Sequence, residues 1–252
     1  MQVRSSAAPN AHPSPDRNVL VIMPAHNEQE SIGLTITKIR EELPHVDLLV
    51  VSDDSTDETE VIAENAGAKV LRLPCQLGYG GAVQTGFKYA VGAGYQYVLQ
   101  MDADGQHDPA SARALLAPVL AGQADVAIGS RFRGEVAYRI PFWRRVGMRF
   151  FAAFASAITG QRFSDPTSGY QAMSRPVFTY FARDNYPSDF PDADTLIALV
   201  LAGFRVTEVP VRMLPRLKGV SMHSNLAAVY YVSKMLLSIL MVALRAHTRK
   251  SD

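Results

Sequence analysis

The sequence predicts an α/β protein with a Rossmann-like, mostly parallel central sheet flanked by helices. Three observations carry that expectation. From Asn18 onward, apolar runs of strand length alternate with longer stretches of helical spacing, the pattern of consecutive βαβ units. No fixed-period repeat or low-complexity tract interrupts them. The 252 residues are 48% hydrophobic and 19% charged, enough to bury one core of this kind.

Residues 1–17 are rich in Ser, Ala, Pro, Asn and His, lack an apolar run, and read as a flexible leader. Val19-Leu-Val-Ile-Met23 is continuously apolar up to Pro24, as a strand buried on both faces should be. A helix is expected over residues 28–42, and a second strand over Asp47-Leu-Leu-Val-Val-Ser52. Ser55-Thr-Asp57 offers capping oxygens to a helix bearing Val61, Ile62 and Ala63. Lys69-Val-Leu-Arg-Leu73 reads as a third strand. Gly78-Tyr-Gly-Gly81 reads as a turn into a helix over residues 82–90. Tyr97-Val-Leu-Gln-Met101 and Ala124-Asp-Val-Ala-Ile-Gly129 complete the regular strands, the former ending at Asp102.

The second half predicts a Phe- and Arg-rich helix over residues 142–159, a helix opened by Phe190-Pro-Asp-Ala-Asp194, and short strands over residues 204–209 and 211–214. The segment from Leu226 to Leu244 is apolar except for Ser233, Lys234 and Ser238. As a helix it would run roughly 28 Å, close to hydrocarbon thickness. Such a helix is buried, paired with a partner or in contact with lipid, and Lys234 favours an interfacial or partnered helix over a span. The domain expectation is therefore a leader over residues 1–17, one α/β domain over 18–222, and an apolar helix with a basic tail over 223–252.

Twenty-five Lys and Arg against 24 Asp and Glu leave a net charge of +1, too small a field for a protein that grips nucleic acid by its phosphates. Cys75 is the single cysteine, so an internal disulfide and a thiolate zinc site are excluded. Ligands of open parallel sheets gather at the carboxyl ends of strands. Here those ends read Pro24-Ala-His-Asn-Glu28, Ser52-Asp53-Asp54, Asp102-Ala-Asp104 and Gly129-Ser-Arg131. Acids clustered on one edge need a cation or hydrogen-bond donors, although helix capping accounts for some of them.

Asp102 and Asp104, two positions apart on an extended segment, can share one hard cation, with Mg²⁺ or Mn²⁺ favoured by carboxylate oxygen. Gln106 can add an amide oxygen or be a solvated turn residue. The glycines at 78, 80 and 81 follow the wrong strand and have the wrong spacing for a dinucleotide site, and no P-loop occurs, so phosphates must meet a metal and scattered basic residues. Arg131, Arg144, Arg145 and Arg216 are the candidates. His26, His107 and His223 have no evident nucleophile beside them, and no Gly-x-Ser-x-Gly elbow supports a serine hydrolase.

Taken in order, Val21-Ile-Met-Pro-Ala-His-Asn-Glu28, Val51-Ser-Asp-Asp-Ser-Thr-Asp57, Leu77-Gly-Tyr-Gly-Gly-Ala82, Met101-Asp-Ala-Asp-Gly-Gln-His107, Gly129-Ser-Arg131 and Asp165-Pro-Thr-Ser-Gly169 resemble the motifs of glycosyltransferase family 2. The group most resembled contains the dolichol- and polyprenyl-phosphate mannosyl- and glucosyltransferases. The resemblance runs from about Asn18 to Ser221 and implies a GT-A fold, a nucleotide-diphosphate sugar donor and Mg²⁺ or Mn²⁺. It places Pro24, His26 and Glu28 around the base and ribose, Val51 and Asp53 at the base, and Ala103 beside the ribose. Asp102 and Asp104 match the metal pair and Gln106 an added ligand. Arg131 matches the arginine that follows Gly-Ser and Arg216 a late phosphate-binding arginine, and Ser168 of the Asp-Pro-Thr-Ser-Gly motif counts among the substrate contacts. This sequence departs from the family at Ser52-Asp53-Asp54-Ser55 for Asp-Asp-Gly-Ser, at His26 for an aromatic or Leu, at Gln171 for Arg, and at Met222 for Lys.

The resulting expectation is an inverting hexosyltransferase acting on a polyprenyl phosphate, with Arg131 and either Arg144 or Arg145 holding the anionic acceptor. A sugar-hydroxyl acceptor would need a base, for which Asp194 is placed by chain order, though it also reads as a helix-start acid. Rival readings are a nucleotidyltransferase and a non-catalytic nucleotide-sugar-binding protein. The expected setting is the cytoplasmic face of a membrane, engaged through residues 226–244 or an embedded partner, with room for a homo-oligomer.

Overall fold

The computed structural model describes residues 18–133, 142–183, 186–187 and 191–215, with residues 142–144 described in backbone alone. The expected leader, the side chain of Arg144, Arg216 and the apolar segment 226–244 lie outside the described residues.

The described strands are β1 (Val19–Ala25), β2 (Asp47–Ser52), β3 (Lys69–Arg72), β4 (Tyr97–Gln100), β5 (Val126–Ser130), β6 (Gln171–Ser174) and β7 (Val206–Pro210), and they form one seven-stranded sheet in the order β3-β2-β1-β4-β6-β5-β7. The sheet is mostly parallel, with β6 running antiparallel to both β4 and β5.

The pleat explains why β1 is apolar throughout. Val19, Val21, Met23 and Ala25 enter one core, and Leu20 and Ile22 enter the other. On the first face, helices α1 (Ile32–Glu42), α2 (Thr59–Asn65) and α4 (Ala112–Leu120) bury residues such as Ile36, Ala63 and Leu115. On the second lie α3 (Gly78–Ala93), α5 (Phe142–Thr159), α6 (Arg175–Ala182) and α7 (Ala193–Leu201). The chain steps outward from β1 to β3, then returns through α3 to β4 on the other side of β1. Right-handed crossovers in opposite directions put α1 and α2 on one face and α3 on the other. The carboxyl ends of β1 and β4 thereby become the switch point where such sheets open a crevice.

Several boundaries differ from expectation. The first helix starts at Ile32 because residues 25–31 are tied to the loop after β2: Asn27 N donates to Ser55 Oγ at 3.2 Å, and Glu28 N to Thr59 Oγ1 at 2.8 Å. The glycines expected to form a turn, Gly78, Gly80 and Gly81, make up the first turn of α3, and further along that helix a Cβ at Gly86 would sit 2.5 Å from Ile22 Cγ2, so the smallness of Gly86 serves helix–sheet contact. Helix α4, with Pro118 inside it, and the antiparallel β6 were not expected. Residues 211–214 form an isolated bridge, His107 to Met213, in place of a strand.

Candidate active site

Three adjacent parallel strands, β2, β1 and β4, end on the edge that carries the polar motifs. At β1, Pro24 is buried and His26 is exposed. The Nδ1–H of His26 donates to the Asp53 carbonyl at 2.7 Å, so its Nε2 is the acceptor facing Asn27 Nδ2 at 3.3 Å. Asn27 and Asp54 adopt left-handed backbone, with φ of 56° and 57°, which Asn and Asp tolerate better than other non-glycine residues. Asp54 occupies the position where the motif resembled has glycine, so that departure preserves the turn.

Val51 is fully buried in the apolar core under this edge. Asp53 is also buried, and its carboxylate accepts from Leu77 N at 2.7 Å and Gly78 N at 3.0 Å. Those amides open α3, so Asp53 satisfies two of the donors that a helix start leaves unpaired.

Beyond β4, Asp102 presents a side chain 31% exposed, while Ala103 is buried and Asp104 nearly so. Asp104 Oδ1 accepts from Gln106 N at 2.9 Å across a turn in which Gly105 has φ 77°. Asp102 Oδ1 accepts from the Tyr79 hydroxyl at 2.8 Å. His107 Nδ1 accepts from Asp102 N at 2.9 Å, so the proton is on Nε2, which lies 3.6 Å from Asp102 Oδ2. The ring is stacked on Tyr170 at 4.7 Å, and burial lowers its pKa, so it stays neutral. Gln106 is half-buried, and its carbonyl accepts from Leu214 N at 2.8 Å.

At the end of β5, Arg131 meets Asp165, which has no exposed surface. Its Nε donates to Oδ2 and its Nη2 to Oδ1, both at 2.6 Å, and Nη2 also donates to Thr167 Oγ1 at 3.0 Å. The expected phosphate arginine is thus paired in a bidentate fork with its own chain. Glu208, on β7, secures the same loop by accepting from Ser164 N and Asp165 N, with Arg133 at 3.2 Å. The loop carries the buried Ser168 and the half-buried Gly169, and a Cβ at Gly169 would lie 2.8 Å from Tyr79 Oη and 3.7 Å from Asp102 Oδ1. Asp194 is buried in the first turn of α7, where its Oδ1 accepts from Asp192 N at 3.1 Å and Thr195 N at 2.8 Å. Arg145 is exposed on α5.

The structure therefore gathers Asp53, Asp102, Asp104, Gln106 and Ser168 with Arg131 on one sheet edge. Tyr79, Gln100, His107, Asp165 and Glu208 support them and were not singled out as site residues from the sequence. For Asp165 a signal existed: it opens the Asp-Pro-Thr-Ser-Gly motif on which the family resemblance rests, although its partner could not be read there. Glu208 offered none, because its placement depends on β7 pairing with β5.

Asp102 and Asp104 carry carboxylate oxygens and Gln106 an amide oxygen, the donor type that Mg²⁺ and Mn²⁺ prefer. Among the described residues no group of three or more His, Cys, Asp or Glu forms a metal site. The pair fits a cation that keeps water or phosphate oxygens in its remaining positions.

Comparison with known proteins identifies the family. Residues 20–181 match the family described as Glycosyl transferase family 2. The polyprenol monophosphomannose synthase of Mycolicibacterium smegmatis is 34% identical over 221 residues, covering 84% of this chain and 83% of that protein. The undecaprenyl-phosphate mannosyltransferase of Micrococcus luteus is 32% identical over 215 residues, covering 82% and 88%. Glucosyl-3-phosphoglycerate synthase from Mycobacterium tuberculosis, in complex with Mn²⁺, UDP-glucose and phosphoglyceric acid, shares the fold with a TM-score of 0.66 at 22% identity, covering 95% of this chain and 86% of that one. The same enzyme in complex with Mg²⁺ and UDP gives a TM-score of 0.64 at 22% identity, over 89% and 78%. A motif-bearing sheet edge, a match across most of the domain and relatives a third identical lead to one conclusion: the chain belongs to glycosyl transferase family 2, and it is a glycosyltransferase.

Proposed function

We propose that the chain transfers a hexosyl group from a nucleoside-diphosphate sugar to a polyprenyl phosphate, with inversion at the anomeric carbon. The observation that carries this reading is the pair Asp102 and Asp104 at the carboxyl end of β4, beside the switch point with β1. The names of the two relatives supply the acceptor class. Asp102, Asp104 and Gln106 would hold Mg²⁺ or Mn²⁺, which when bound offsets the charge developing on the departing diphosphate. The loop after β1 and Asp53 after β2 receive the nucleoside, with His26 the exposed ring there and Pro24 and Glu28 beside it.

In the transfer, an acceptor oxygen forms a bond to the anomeric carbon while the bond to the diphosphate oxygen breaks, the electron pair leaving with the diphosphate. A phosphate acceptor is already anionic near neutral pH and needs no base. Asp194 Oδ1 is engaged by the amides of its own helix start, as a helix-start acid would be. Arg145, Arg144 and Arg216 are assigned to acceptor or diphosphate charge. Arg131, neutralised by Asp165, contributes oriented N–H groups more than net charge. Attachment to a membrane surface or an embedded partner at the cytoplasmic face is assigned to the apolar residues 226–244. Among the described residues, no helix is long and apolar enough to cross a membrane.

The test is calorimetry of UDP- and GDP-sugars with Mn²⁺ and with EDTA, on the native chain and on Asp104→Ala. Donor binding should require the metal, because two carboxylates otherwise repel the diphosphate, and it should weaken strongly in the variant. Full affinity in Asp104→Ala with EDTA would overturn the site.

A further inference from the structure

Tyr79 lies in the first turn of α3, outside the residues assigned to donor or metal, yet it meets the edge at its most consequential atom. Its hydroxyl is 2.8 Å from Asp102 Oδ1 and 3.1 Å from Gln100 Nε2. An ionised carboxylate only accepts, so Tyr79 must donate to Asp102, and its oxygen must accept from the Gln100 amide. The direction of the whole chain, Gln100 to Tyr79 to Asp102, is thereby set. Gln100 is buried on β4, and among the described residues its Oε1 has no hydrogen-bond partner. With its Nε2 turned to the phenols of Tyr79 and Tyr186, the Gln100 amide leaves that oxygen unpaired. Gly169 lies beside this bond, where any side chain would collide with the hydroxyl.

The turn that carries Tyr79 is itself held by Asp53, through the amides of Leu77 and Gly78. One short segment therefore bonds the carboxylate at the end of β2 through its backbone and the carboxylate at the end of β4 through its side chain. We infer that Tyr79 is a positioning residue which fixes the Asp102 carboxylate for a divalent cation and, through the 77–79 turn, sets the β2 and β4 ends of the donor site as one unit. This rests on the metal-dependent reading above and adds a supporting shell to it. A neutral donor on one carboxylate oxygen leaves the negative charge in place while restricting the rotamer, as hydrogen bonds to metal-ligating carboxylates do.

The test uses Tyr79→Phe, which deletes the hydroxyl and keeps the ring that packs against the core. Mn²⁺ is titrated in the presence of UDP, followed by the electron paramagnetic resonance signal of free Mn²⁺, and melting is measured separately in EDTA. The native chain should take up Mn²⁺. Tyr79→Phe should need about 10- to 100-fold more, the range for lost hydrogen bonds to metal ligands, with its metal-free melting temperature close to native. Gln100→Leu, which leaves Tyr79 in place without its own donor, should show a smaller loss in the same direction. Native uptake of Mn²⁺ together with unchanged uptake by Tyr79→Phe would overturn the positioning role while leaving the metal site standing. A weakened affinity matched by a large metal-free drop in melting temperature would overturn it as well, by showing a packing role. No uptake by the native chain would overturn the metal reading and this inference together.

Discussion

Asp165 is fully enclosed and Arg131 nearly so, with side-chain exposures of 0% and 15%, so their pairing is judged by the cost of leaving one alone. Desolvating two charges offsets much of their attraction, and the pair adds little net stability over an apolar substitute. Removing one partner strands a buried charge at a cost of about 3–5 kcal/mol. Arg131→Ala should therefore lose both activity and stability, and Arg131→Ala with Asp165→Leu should recover much of the melting temperature without the activity. A thermal-melt double-mutant cycle measures this, and native stability in Arg131→Ala would reassign the guanidinium to ligand alone. The sequence marked Arg131 by its place after a buried strand. It could not show that the charge is consumed internally, because Asp165 lies 34 residues away.

For the elements, the close approach of α3 to β1 is the contact that brings the 77–79 turn over the strand ends. Gly86 permits it, since an added methyl would stand 2.5 Å from the side chain of Ile22, a residue with no exposed surface. Alanine favours a helix over glycine by up to about 1 kcal/mol, but overpacking a close-packed core costs about 1–3 kcal/mol. The second effect wins here, so Gly86→Ala should lower stability in a denaturant titration. Gly92→Ala, in the same helix with open space around its Cα, should raise it by a few tenths to about 1 kcal/mol. Equal effects at the two positions would refute the close-contact account.

Across the whole molecule, the two cores on either side of the sheet hold the strands rigidly while the site is built from the loops at their ends. A ligand binding these loops only in the folded state stabilises the entire domain, by about 2.7 kcal/mol at a hundredfold excess over its Kd. For a chain of this length that raises the melting temperature by about 5–10 °C. One class of nucleotide-sugar with Mn²⁺ should produce such a shift, and EDTA should abolish it. A panel of UDP-, GDP- and ADP-sugars in a thermal-shift assay gives the answer, with a metal-independent shift as the contrary result.

The sequence by itself determined the fold class, the order of the early βαβ units and the polar strand ends, because those depend on local periodicity and on the few residues that end each apolar run. Asp102-Ala-Asp104 was legible for the same reason: its signal is two residues wide. The tertiary structure alone decided the sheet order, the reversed β6, and the partners of the site residues. Tyr79 on Asp102, the Leu77 amide on Asp53 and Asp165 on Arg131 join positions 23, 24 and 34 residues apart. Such contacts leave no periodic trace, since each depends on where folding brings two strand ends and a helix together.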